Sequence, residues 1–216
     1  MKLQIAFDLM SANDALDAAA EIYDIIDIIE VGTPMIVREG MVPVRMLKKS
    51  YPDTTVLADV KIVDGGDIES ADAFHAGADI VTVLAAAADE TIKGVVSTAV
   101  RYGKKTMVDM IGISDIQKRA EELDALGVDY ICVHTAVDVQ GKGESPYHDL
   151  SLLLPVLKNS KAAVAGGVNM AAIPVLKDLD PEIVVAGSAL TGQSDIRRAV
   201  LEMQDAIKGG KTYGNS

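Results

Sequence analysis

The chain has 216 residues, 49% of them hydrophobic, with no Trp, one Cys and a formal net charge of −12. That size suits one sizeable core in a single domain over residues 1–216, and the negative charge opposes nucleic acid or an anionic membrane as partner. The lone Cys132 excludes an intramolecular disulfide and reads as core filler, and no apolar run approaches the roughly 18 residues of a membrane span, so a soluble cytoplasmic protein is expected.

Short β-rich runs alternate with helical stretches along the chain. Leu3–Asp8 reads as a first strand, followed by a helix over Asp14–Tyr23 with Ser11 as its N-cap. Ile25–Val31 with Val42–Lys49, Thr55–Lys61 with Ile68–Ala76, and Ile80–Leu84 with Thr91–Tyr102 repeat the pattern. It continues through Thr106–Met110 with Ile116–Leu126, where Ser114 suits the N-cap, and Tyr130–His134 with Leu150–Lys158. Ala162–Ala165 with Met170–Lys177 and Ile183–Ala186 with Ile196–Ile207 complete it, and Gly77, Gly103 and Gly127 suit helix ends. Eight βα units in this length predict an α/β protein, a compact (β/α)8 TIM barrel. An open doubly wound sheet is the alternative, but the first βα turn, Phe7-Asp-Leu-Met-Ser-Ala12, has no glycine-rich dinucleotide fingerprint.

A barrel carries its chemistry at the C-terminal ends of its strands. Asp8, Glu30, Asp59, Lys61, Asp64, Asp109 and His134 all fall at or just beyond those ends. In a regular strand Asp59 and Lys61 would share one face, with Val56, Ala58 and Val60 on the other. An acid and an amine on a packed face mean an ion pair or chemistry, and so many ionisable groups on one rim favour a shared site. Ala165-Gly166-Gly167-Val168 and Ala186-Gly187-Ser188 follow the last two strands, where barrels often bind phosphate through loop amides. His75, in a helical stretch, and His148, in a loop, receive no site role.

Asp59-x-Lys61-x-x-Asp64, Glu30-Val-Gly-Thr-Pro34, Val133-His134-x-x-x-Asp138-x-Gln140 and Ala165-Gly-Gly-Val168 together resemble the orotidine 5'-monophosphate decarboxylase superfamily. Within it the chain is most similar to the 3-hexulose-6-phosphate synthases, with the 3-keto-L-gulonate-6-phosphate decarboxylases as near relatives. The resemblance spans the whole chain and implies a ribulose-phosphate-binding barrel. It further implies a Mg2+-dependent, reversible aldol reaction of D-ribulose 5-phosphate with formaldehyde through a metal-stabilised enediolate. In that pattern Glu30 and Asp59 ligate Mg2+ and Lys61 stabilises the enediolate. His134 takes the C1 proton, since imidazole exchanges protons near neutral pH. Asp8 binds substrate hydroxyls, Ala165, Gly166, Gly167, Gly187 and Ser188 bind phosphate, and Asp64 enters the neighbouring subunit's site, making a homodimer.

Three positions separate the two reactions. The decarboxylase branch typically has Glu after the fifth strand, Arg three residues beyond the histidine and Thr before the Gly-Gly pair. Here those positions hold Asp109, Val137 and Ala165, the synthase pattern. Val137 in place of Arg is expected to leave a smaller, drier space in which formaldehyde competes with a proton. The chain departs from several superfamily members at Ser188, where they place Arg, so phosphate anchoring would rest on amides and a hydroxyl. The polar stretch Gly141 to Pro146 reads as a surface loop or a lid. A non-catalytic sugar-phosphate-binding barrel and another enediolate-forming isomerase or epimerase are the remaining readings.

Overall fold

All eight strand candidates are strands, pairing in parallel and in chain order into a closed barrel in which β8 returns to β1. A computed structural model describes residues 1–140 and 145–209, so most of the stretch expected as a surface loop or lid lies outside the described residues. The strands are β1 (Lys2–Phe7), β2 (Ile28–Val31), β3 (Thr55–Ile62), β4 (Ile80–Leu84), β5 (Lys105–Asp109), β6 (Tyr130–His134), β7 (Lys161–Ala165) and β8 (Ile183–Ala186). Helices α1 (Ala12–Ile22), α2 (Thr33–Glu39), α3 (Val42–Ser50), α4 (Gly66–His75), α5 (Asp89–Tyr102) and α6 (Ile116–Ala125) connect the first six strands. Helices α7 (Val137–Gln140), α8 (Tyr147–Leu153), α9 (Ile173–Leu179), α10 (Ser188–Thr191) and α11 (Ile196–Lys208) complete the described chain. None of the described helices is long and apolar enough to cross a membrane.

Local chemistry sets the helix ends. Ser11 and Asp14 cap α1 reciprocally, each side chain accepting the other's N–H. At α6 the cap is Asp115, not Ser114: its carboxylate accepts the Lys118 N–H at 3.2 Å. The helix expected over Leu150–Lys158 starts earlier, at Tyr147, and gives way to a 3-10 turn over Leu154–Val156, because Pro155 has no N–H to continue the ladder. Gly103 closes α5 with a left-handed φ of +63°.

Strand alternation divides the side chains. Outward residues such as Leu3, Ile5, Phe7, Val81, Val108 and Val133 are fully buried against the helices, each contributing about 1.5–3 kcal/mol of burial. Inward residues Ile28, Leu57, Ile80, Met107 and Cys132 fill the barrel. Two residues further along the same five strands stand Glu30, Asp59, Thr82, Asp109 and His134. The barrel interior is therefore apolar below and polar at its mouth.

The opposite end is tied by a repeated device. The residue before each even strand is acidic: Asp27, Asp79, Asp129 and Glu182. The first three carboxylates accept the N–H of Leu3, Val56 and Thr106 on the preceding odd strand, at 2.8, 2.9 and 2.9 Å. The main-chain oxygens of Asp79, Asp129 and Glu182 accept from Lys105, Lys161 and Lys2 at the start of the next odd strand, at 3.0, 2.9 and 2.7 Å. Asp79 also receives Lys48 at 2.7 Å and Lys104 at 2.6 Å. Burial alone would raise its pKa, but the two ammonium groups and the Val56 N–H hold it below the ordinary value.

Candidate active site

Asp59 and Lys61 do meet, but not through regular alternation. The β3–β4 pairing shifts register between Ala58 and Ile62, and Lys61 has a left-handed φ of +55°. For a residue with a side chain that conformation costs on the order of 1–3 kcal/mol and persists only where its surroundings enforce it. Here the Lys61 N–H bonds the Thr82 hydroxyl at 2.9 Å, and the Lys61 ammonium lies 2.6 Å from Asp59 Oδ2 and 3.0 Å from Asp109 Oδ2.

These contacts extend into a chain of groups across the mouth. Asp59 Oδ2 also accepts from the Thr33 hydroxyl at 2.8 Å, and Asp59 Oδ1 accepts from the Thr82 hydroxyl at 2.8 Å. Asp109 Oδ2 bonds His134 Nδ1 at 2.8 Å, and Asp109 Oδ1 accepts the Ile111 N–H at 2.8 Å. Burial would raise the Asp109 pKa, but His134, Lys61 and that amide hold it below the ordinary value. An ionised Asp109 can only accept, so Nδ1 is the His134 nitrogen that donates in this pair. Burial would likewise lower the Lys61 pKa, and the Asp59 and Asp109 charges reverse that, keeping the ammonium charged.

Glu30 and Asp8 complete the acidic side. Glu30 is 7% exposed and receives the Gln4 amide at 2.5 Å. Burial first, then the Asp59 charge, push its carboxyl up to about 8. The Asp8 carboxyl is also raised, by burial and then by Asp59. It lies against Gly32, where an added Cβ would fall 2.0 Å from Asp8 Oδ1, and the Asp8 carbonyl is held by Arg38 at 2.7 Å. Among the described residues, carboxyls thus outnumber cations at the mouth. Among the described residues no three His, Cys, Asp or Glu side chains gather as a metal cage, but Mg2+ commonly uses only one or two carboxylates. A cation beside Glu30 and Asp59 would offset the Asp59 charge that adds to the effect of burial on Glu30, so the donor chemistry of the two carboxylates is compatible with the ion.

The phosphate candidates flank this network on β7 and β8. Gly166 and Gly167 take φ of +92° and +75°, and a Cβ on Gly166 would sit 2.3 Å from the Thr135 carbonyl oxygen. Ala165 ends β7, and Gly187 caps α10, whose first residue is Ser188. Other expectations find different surroundings. Asp64 is exposed and accepts the Gly65 N–H at 2.8 Å, and among the described residues it does not join the network of its own chain. Val137 is 76% exposed on α7, so within one chain it does not form the dry wall expected of it. Asp138 is likewise exposed on α7, whereas His75, in the last turn of α4 and bonded to the Tyr102 hydroxyl, and Cys132, packed in the barrel interior, are placed as expected.

The profile of the Orotidine 5'-phosphate decarboxylase / HUMPS family matches residues 1–203. The chain belongs to this family. One relative is the 3-hexulose-6-phosphate synthase of Bacillus subtilis (strain 168), 42% identical over 210 residues, covering 97% of this chain and all of that protein. A crystal structure of 3-hexulose-6-phosphate synthase from Salmonella typhimurium superposes with a TM-score of 0.94 at 38% identity, covering 98% of this chain and all of that one. The 3-keto-L-gulonate-6-phosphate decarboxylase structure from Vibrio cholerae is more distant, with a TM-score of 0.86 at 27% identity over 97% of this chain and 98% of that one. Like these relatives, this family member is an enzyme, and the synthases among them are carbon–carbon lyases.

Two side chains of this family member's site escape motif reading, Gln4 and Thr82. Both are buried, at 1% and 3% exposure, on inward positions of β1 and β4. The available signal was a polar residue at an inward position of an otherwise apolar strand.

Proposed function

We propose that this chain catalyses the reversible aldol condensation of D-ribulose 5-phosphate with formaldehyde, the reaction of 3-hexulose-6-phosphate synthases. The observation that carries the reading is the continuous Asp59–Lys61–Asp109–His134 contact chain at the barrel mouth. It offers a base, a fixed cation and an ionised group orienting the base. The identity to proteins named as synthases supports the choice of reaction.

In this reading His134 Nε2 removes a proton from C1 of the sugar phosphate. The electron pair moves toward the C2 oxygen, giving a cis-enediolate whose charge the preorganised Lys61 ammonium stabilises. C1 then attacks the carbon of formaldehyde, and the protonated His134 returns its proton to the new alkoxide. Glu30 and Asp59 would hold Mg2+, which when bound supplies further positive charge to the substrate's oxygens. Asp8 binds hydroxyls, and the amides of Ala165–Gly167 and Gly187–Ser188 receive the phosphate. We place Asp64 in the site of a second subunit. Leu9, Val37, Val63 and Ile68 support this: they are exposed on the segments following β1, β2 and β3, the last of which also carries Asp64, and exposed large apolar side chains suit a subunit contact.

The test is to incubate the purified protein with Mg2+, ribulose 5-phosphate and formaldehyde and follow the aldehyde. Formaldehyde should disappear as hexulose phosphate forms. No consumption, together with CO2 release from 3-keto-L-gulonate 6-phosphate, would sink the assignment.

A further inference from the structure

We infer that Thr82 is a positioning residue, whose hydroxyl holds Asp59 and Lys61 together across the break in β3. The inference rests on the proposed roles of those two residues and adds what keeps them in place. Thr82 stands at an inward position of β4 and is 3% exposed. The β3–β4 pairing is lost between Ala58 and Ile62, the stretch that contains both Asp59 and Lys61. In that gap one hydroxyl takes over from the missing ladder. It accepts the Lys61 N–H at 2.9 Å and donates to Asp59 Oδ1 at 2.8 Å.

The direction of both bonds is fixed by chemistry. A main-chain N–H can only donate and a carboxylate can only accept, so the hydroxyl must accept from one and donate to the other. Neither alanine nor valine does either, whereas serine does both. Thr33 holds the other Asp59 oxygen, Oδ2, beside the Lys61 ammonium. Asp59 is thus gripped from β4 through Oδ1 and from the segment after β2 through Oδ2. The left-handed backbone at Lys61 is unfavourable for a residue with a Cβ, and the Thr82 oxygen gives its N–H a partner that the broken pairing does not. Thr82 therefore selects the backbone conformation in which the Lys61 ammonium bridges Asp59 and Asp109.

The consequence is specific. Removing the hydroxyl should misplace the charge that acts during the chemical step while leaving the glycine loops after β7 and β8 untouched. Thr82→Val should therefore lower kcat about 10–100-fold, the usual effect of losing a group that orients a site ligand, with little change in KM for ribulose 5-phosphate. Thr82→Ser should recover most of the lost kcat. Thr82→Ala repeats the hydroxyl deletion with less bulk should valine not be accommodated, and thermal unfolding of each variant reads its stability separately. Lys61→Ala is measured alongside. If Lys61→Ala is inactive but Thr82→Val and Thr82→Ala keep wild-type kcat, the inference about Thr82 fails alone. Equal loss in the serine and valine variants would also overturn it, by assigning the effect to shape. Full activity in Lys61→Ala would overturn the proposed site itself.

Discussion

One oxygen of Asp109 serves both Lys61 and His134, so the histidine's orientation depends on the same group that fixes the cation. His134→Ala should abolish exchange of the C1 proton with deuterated water, a loss of about 10²–10⁴-fold, while sugar-phosphate binding survives. Undiminished exchange would exclude His134 as the base. Glu30 allows a pH test. Its carboxyl keeps a proton up to about pH 8 in the folded, metal-free protein but releases it near the ordinary 4.5 when unfolded. Between those values the folded state holds more protons, so this group's contribution to stability falls as pH rises and is gone above the folded pKa. The melting temperature of the metal-free protein should accordingly carry a component that declines from about pH 5 to pH 8. Mg2+ should offset it, and Glu30→Gln should remove both the slope and the response to Mg2+; identical behaviour in wild type and variant would take Glu30 out of both roles. At this scale the sequence was a good guide to charge and a poor one to hydroxyls and amides. Glu30, Asp59, Asp109 and His134 stood out because ionisable groups are rare at inward strand positions. Thr82 passed for an ordinary β-former, and Gln4 had no motif around it.

At the scale of elements, β-branched runs bounded by glycine and charge marked every strand, with most ends displaced by only a residue or two. The largest shift is at β2, where Ile25 and Ile26 look like strand but precede Asp27, whose carboxylate serves β1 from outside the ladder. The break in β3 was not legible, because nothing in Asp-Val-Lys-Ile announces a left-handed lysine. Its tertiary partners, Thr82 on β4 and Asp109 on β5, make that conformation worthwhile. The turn after β7 was legible, since adjacent glycines at a strand end suit positive φ. Its steric need is sharper than the sequence implies. Gly166→Ala combines a φ of +92° with a Cβ 2.3 Å from the Thr135 carbonyl oxygen, so it should displace the turn and destabilise the fold by roughly 1–3 kcal/mol. In the proposed reaction KM for the sugar phosphate should rise more than kcat falls. Steady-state kinetics with wild-type KM would remove this turn from the phosphate site.

At the scale of the whole molecule, the barrel separates a chemical end from a structural one. The (β/α)8 architecture was readable from the alternation of elements, but the tie at the closed end was not, because an acid before an apolar strand looks like a solvated loop residue. Asp79→Ala should test the separation. It leaves the Val56 N–H, Lys48 and Lys104 without their partner, at about 1–3 kcal/mol, or several degrees in melting temperature for a chain of this size. Because the Asp79 pKa is held below the ordinary value, the lost contribution is present at neutral pH and disappears on acidification, so wild type and variant should converge in acid. Turnover well below the transition should be unchanged; a large fall in kcat would show that the two ends are coupled.

Each acid before an even strand touches a neighbouring odd strand, and Asp79, Asp129 and Glu182 touch the strands on both sides. A slip of one residue would turn Glu30, Asp59, Asp109 and His134 out of the barrel and bring apolar residues in. The closed end thus works as a ruler: it sets strand position by whole residues at the end farthest from the chemistry, and the mouth inherits that calibration.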